Sequence, residues 1–131
     1  MKSAFNKFLV LIFVFITSLS VTQAQKILIP MDLAQTDHLK AYGLTYWALN
    51  EGYNADWLLN YRGGSFMMDY HDVIAAECRI RGVLFEKISG SKASSIYSEV
   101  KAEGVNMDAV RLEKAPEIAV YAPPGSQPWD D

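Results

Sequence analysis

Between residues 26 and 88 the chain alternates short apolar runs with helical stretches, and that order limits the folds open to it. Residues 26–31 (KILIPM) are too few for a helix and fit a buried strand. A polar stretch follows, in which Thr36 or Asp37 is placed to cap a helix. Leu39, Tyr42, Gly43 and Tyr46 then repeat at i, i+3, i+4 and i+7, and Gly52 offers the stop. Residues 55–61 (ADWLLNY) read as a second strand and residues 62–66 as a turn. A second helix spans about 69–82, with Val73, Ala76, Glu77 and Ile80 on one stripe and Ile74, Cys78 and Arg81 on the next. Residues 83–88 (VLFEKI) read as a third strand and 95–103 as a third helix ending at Gly104. The piece 105–115 fits either a loop or a short helical turn. Residues 117–122 (EIAVYA) read as the last strand, stopped by Pro123-Pro124-Gly125. Strands joined through helices imply an α/β domain whose parallel sheet carries helices on both faces.

Ahead of this pattern, Lys2 and Lys7 flank an apolar run, residues 8–16, that relaxes to Thr22-Gln23-Ala24. A positive start, a short apolar core and a small-residue exit describe a secretory signal peptide, here residues 1–24, cleaved before Gln25. The run is well short of the ~20 residues that cross a bilayer, so no stable span is expected after cleavage. The expected location is therefore extracytoplasmic, periplasmic or secreted. With 24 of the 131 residues removed, 107 remain, enough for one small domain. Lys2 and Lys7 leave with the leader, so ten basic residues face fifteen acidic ones. That balance, without a basic cluster, argues against nucleic acid as a partner. Cys78 is the single cysteine and cannot form a disulfide within the chain.

Residues 125–131 resemble a helix start, with Ser126 or Gln127 as cap, Pro128 just inside and Asp130 and Asp131 in the first turn. On that reading, residues 25–131 are the N-terminal part of an α/β domain that is incomplete at its C-terminal side.

Three pieces, ILIPMDLAQTDHLKAYGLTYWAL (27–49), DWLLNYRGGSF (56–66) and ECRIRGV (77–83), are followed by LEKAPEIAVYAPPGSQPWDD (112–131). Together they resemble the front of a family of exported bacterial proteins, of Bacteroidetes type, labelled asparagine synthetase B. The resemblance implies a class I glutamine amidotransferase-like, flavodoxin-like architecture, of which this chain would be the N-terminal portion. It identifies no catalytic residue and no cofactor. Glutamine-dependent asparagine synthetases use an N-terminal cysteine, whereas this chain starts Met1-Lys2. Their Ser-Gly-Gly-x-Asp-Ser loop has its nearest counterpart in Gly63-Gly64-Ser65-Phe66, which lacks the acidic and second serine positions.

In open α/β sheets ligands gather outside the carboxyl ends of the strands. Asp32, Gln35, Thr36, Asp37 and His38 crowd the first such loop, and Arg62, Gly63, Gly64 and Ser65 the second. Glycines let backbone N–H groups approach an anion, and the Arg62 fork matches a carboxylate, so a small carboxylate-bearing ligand is the expected occupant. The same residues also fit a plain helix cap and a structural turn. Cys78 lies inside a helical stretch without the strand-to-helix elbow of a nucleophile and reads as a small core residue. Asp69, His71 and Asp72 suit a helix start, and no zinc-type spacing occurs, so no metal is expected. Tyr42, Tyr46, Trp47 and Trp57 fit either an aromatic platform for a ring or ordinary core. The rival to an amidotransferase-like function is a non-catalytic binding or assembly module of the cell envelope.

Overall fold

A computed structural model describes residues 24–119. The leader up to residue 23 and the helix start at 126–131 lie outside the described residues. The elements run β1 (Lys26–Ile29), α1 (His38–Asn50), β2 (Ala55–Leu59), a 3₁₀ turn (Tyr61–Gly63) and β3 (Ser65–Asp69). Then come α2 (Asp72–Arg81), β4 (Glu86–Ile88), α3 (Gly90–Val100) and β5 (Asp108–Leu112).

The five strands form one sheet in the order β4-β1-β3-β2-β5, and every neighbouring pair is antiparallel. The parallel sheet expected from the alternation, and the flavodoxin-like architecture implied by the resemblance, are therefore wrong. The crossover helices do join strands that run in one direction: α1 links β1 to β2, and α2 links β3 to β4. Each crossover skips one position, and an antiparallel strand fills the gap. The first six elements are thus a split βαβ, or ferredoxin-like, arrangement. The strand that makes the difference is β3, placed by a hairpin directly after β2 and pairing Leu58 with Ser65 and Ala55 with Met68. Ser65–Asp69 had read as the end of a turn and the start of a helix.

β3 is central and covered on both faces, which suits its unbroken run Phe66-Met67-Met68, all buried. Phe66 and Met68 join Ile27, Ile29 and Ala55 under α1 and α2, whose buried residues are Ala41, Leu44, Ala48, Ile74, Ala75 and Cys78. Met67 points the other way, with Leu28 and Leu58, onto Ala93, Ile96 and Val100 of α3. Each fully buried Leu, Ile, Val, Met or Phe among these contributes roughly 1.5–3 kcal/mol of transfer free energy, so both layers are needed. Asp37 caps α1 by accepting from the Lys40 N–H, and Ser89 caps α3 by accepting from the Lys92 N–H.

Two further expectations change. Residues 108–112, left as loop or helical turn, form β5 and extend the sheet beyond β2. Residues 117–119, the described part of the expected last strand, are not in a strand, and 120–122 lie outside the described residues.

Candidate functional site

Because β1 and β2 run in the same direction, the loops leaving them meet at one edge of the sheet. Met31 N–H donates to the Arg62 carbonyl at 3.1 Å, tying one loop to the other. Asp32 and Arg62, thirty positions apart, form an ion pair at 2.7 Å. Arg62 also reaches Glu86 at the start of β4, at 2.6 Å. The Arg62 hydrogen bond, reinforced by the Ala34 N–H, holds the Asp32 carboxyl below its ordinary range. Hydrogen bonds to Asp32 and Glu86 in turn secure the charge on Arg62. Glu86 escaped the sequence reading; its only signal is a charge interrupting a short apolar strand.

The other expected residues are brought to the same edge, and all but Thr36 spend polar groups internally. Gln35 is buried; its amide N–H group donates to the Pro30 and Leu84 carbonyls, and its oxygen accepts from the Leu84 N–H at 3.0 Å. His38 Nε2 lies 3.1 Å from the Met31 carbonyl oxygen. Asp37 is the helix cap, and Thr36 is exposed. Ser65 is fully buried and donates to the Tyr61 carbonyl. Gly63 and Gly64 hold φ of +80° and +93°, and Arg62 itself stands at +45°, a left-handed conformation unusual for a residue with a side chain. A methyl group on Gly63 would run into the Met31 carbonyl, 2.6 Å from its carbon. The cluster thus locks two loops together. Its one strong anion binder, Arg62, already holds two carboxylates.

Cys78 is fully buried inside α2, and that burial pushes its thiol up to about 11. A thiol so placed is not ionised near neutral pH and is a poor nucleophile. Native chain should accordingly resist alkylation by iodoacetamide and react fully on unfolding. Labelling at the rate of a free thiol would show that α2 does not pack as described. Asp69 pairs with Lys26 at 2.8 Å, and the His71 ring rests on Tyr53 with centroids 4.8 Å apart. Among the described residues no group of three or more His, Cys, Asp or Glu side chains is placed to hold a metal.

An open concavity lies elsewhere among the described residues, along the flank of α1 where β5 extends the sheet. It encloses about 770 Å³, within the range of ligand sites, and is lined chiefly by apolar and aromatic side chains. Tyr42, Tyr46 and Leu49 of α1 form one wall, Trp57, Phe66 and Leu112 the floor, and residues 114–117 the far wall. Trp57 stacks on Phe66 at 6.0 Å, and Tyr42 meets the edge of Phe66 at 5.5 Å. The Trp57 N–H donates to the Gly64 carbonyl, which fixes the indole and anchors the groove to the locked loops. Of the four aromatics singled out in the sequence, Tyr42, Tyr46 and Trp57 come together here. Trp47 does not; it faces Arg81, whose guanidinium lies 5.4 Å from its ring centroid. Phe66, Leu112 and the wall 114–117 were missed, since only the unforeseen strands β3 and β5 bring them to the groove. No helix among the described residues is long and apolar enough to cross a membrane. The chain matches no family model, no curated protein and no solved structure.

Proposed function

We propose that this chain is a non-catalytic binding module of an exported protein, and that it binds in the aromatic groove between α1 and the β2–β5 strip. The observation that supports this most directly is the contrast between two regions. The polar cluster is closed on itself, with Arg62 committed to Asp32 and Glu86. The groove presents aromatic faces and an apolar floor to solvent. Apolar side chains gathered in one open patch, unlike singly scattered ones, point to a binding surface. The buried thiol of Cys78 gives no support to an amidotransferase chemistry, and neither does an antiparallel sheet.

The naphthalene dye ANS is a suitable first probe. Saturable one-to-one binding, with energy transfer from tryptophan, is expected. Tyr46→Ser should weaken binding about tenfold, in keeping with the loss of one aromatic contact and its buried area. Failure of the dye to saturate, or ammonia release from glutamine that depends on Arg62, would defeat the reading.

Export belongs to the same proposal and rests on the Lys2/Lys7 flank, the run 8–16 and the Thr22-Gln23-Ala24 exit. N-terminal sequencing of the chain recovered outside the cytoplasm should begin at Gln25. A recovered chain that keeps residues 8–16 would overturn it.

A further inference from the structure

We infer that the mature chain begins with a lactam: Gln25, once terminal, closes on itself to pyroglutamate, a conclusion that rests on the cleavage before Gln25 proposed above. The step needs no co-reactant. The α-amine of Gln25 attacks its own side-chain amide carbon, and the new C–N bond closes a five-membered ring. The side-chain nitrogen takes the proton that the amine gives up and leaves as ammonia. Gln25 is exposed, its carbonyl accepts from the Tyr70 N–H at 3.0 Å, and β1 starts at Lys26. All the reacting atoms belong to this one exposed residue, so closure disturbs no packed side chain.

The start of α3 favours the ring. In the uncleaved chain the Ala24 carbonyl lies against Gly90, the first residue of α3. A methyl group on Gly90 would stand 2.8 Å from the Ala24 oxygen and 3.9 Å from the carbonyl carbon that carries the Gln25 nitrogen. The three atoms nearest to such a methyl all belong to Ala24, so its removal opens this space. An amide oxygen suits the place, because the first turn of a helix carries unpaired N–H groups and about half a positive charge. Cleavage puts an ammonium there instead, which the helix end repels. The first turn of α3 holds no acid, and Lys92 stands in it. On the strand side the charges balance. Lys26 pairs with Asp69 at 2.8 Å, and Tyr70 carries Lys87 over its ring and donates its hydroxyl to Asp72. The lactam places an uncharged amide, with a carbonyl of its own, back on the same nitrogen. Repulsion of the ammonium also speeds the step, since only the free amine attacks.

Mass spectrometry of the intact chain recovered outside the cytoplasm, and of its N-terminal peptide, tests this. The chain should begin at residue 25 and weigh one ammonia less than the encoded sequence, and Gln25→Ala should abolish that loss. A terminus at Gln25 with a free amine overturns the lactam and leaves the cleavage reading standing. A chain that starts elsewhere or keeps its leader overturns both. The part played by α3 is read from rates at about pH 6.5, where a terminal amine is mostly charged. Chain freshly released at Gln25 from a fusion should lose ammonia about two- to fivefold faster than a peptide of residues 25–30. Salt should shrink the advantage by screening the helix end. Gly90→Asp, with its helix content confirmed by circular dichroism, should erase it by placing a carboxylate in the first turn. Equal rates in chain and peptide, or an advantage that Gly90→Asp leaves untouched, would overturn the inference, because closure would then owe nothing to this fold.

Discussion

Gly63→Ala should destabilise the chain by about 2–5 kcal/mol, a large share of the about 5–15 kcal/mol that holds an ordinary domain together. Two independent costs add. Gly63 has φ of +80°, where a side chain costs about 1–2 kcal/mol. The added methyl would also press on the Met31 carbonyl, a backbone group that cannot swing away as a side-chain tip would. Overpacking of that kind costs about 1–3 kcal/mol. The Met31 carbonyl oxygen lies 3.1 Å from His38 Nε2, and the Met31 N–H donates to the Arg62 carbonyl, so a shift there loosens both loops at once. Gly64→Ala supplies the comparison: its φ is equally positive, but its nearest neighbour, at 3.3 Å, is the Trp57 side chain. Urea denaturation of both variants should show the larger loss at Gly63. A loss below 1 kcal/mol at Gly63 would mean that the two loops do not meet as described.

Much of the element order was legible, and the reason the sheet was not is instructive. The Asp37 cap and the periodic residues of α1 are local features, so the sequence states them directly. A crossover helix fixes strand direction but not strand adjacency. The hairpin that decides adjacency was signalled by a glycine-bearing loop, Asn60 to Gly64, between two apolar runs. That signal was masked because Phe66-Met67-Met68 lacks the alternation of a half-buried strand, being covered on both faces. On α1 the residues following the helical rule, Leu39, Tyr42 and Tyr46, are those left outside, because a second stripe of smaller residues packs on the sheet. Size decides this: alanine and threonine let a helix approach a sheet closely, and tyrosine does not.

The meeting of the Asp32 and Arg62 loops was legible for a related reason. It depends only on β1 and β2 pointing the same way, which parallel and split arrangements share. That Arg62 would be occupied was not legible, because Glu86 arrives from a strand on the far side of β1. The groove was half legible: its aromatics stand out in the sequence, but its floor required β3 and its outer wall required β5.

Tyr97→Phe should cost about 1.5–3 kcal/mol and should also change how the chain responds to alkali. On the face opposite the groove, the nearly buried Asp56 accepts a short hydrogen bond from the Tyr97 hydroxyl of α3 and two contacts, 3.1 and 3.3 Å, from Arg111 of β5. These bonds fasten α3 and β5 to β2. Removing the hydroxyl leaves a shielded carboxylate short of a donor, and hydrogen bonds to charged groups carry about that magnitude. Burial, then the hydrogen bond to Asp56, raises the Tyr97 phenol above its ordinary 10.0. A raised phenol favours the neutral form in the fold. Its contribution is therefore complete below pH 10 and is lost as pH climbs through the folded value. Cys78 acts with the same sign from its ordinary 9.0 upward, and so does Tyr61, whose phenol burial also raises, the three together giving a falling alkaline limb. Guanidinium titrations from pH 7 to 11.5 should show stability dropping above about pH 9 in the parent. Cys78→Ala should remove the first part of the fall and Tyr97→Phe a share of the later part, the rest belonging to Tyr61, each from a lower starting stability. An alkaline limb unchanged by Tyr97→Phe would separate Tyr97 from Asp56 and detach α3 from the sheet at this point.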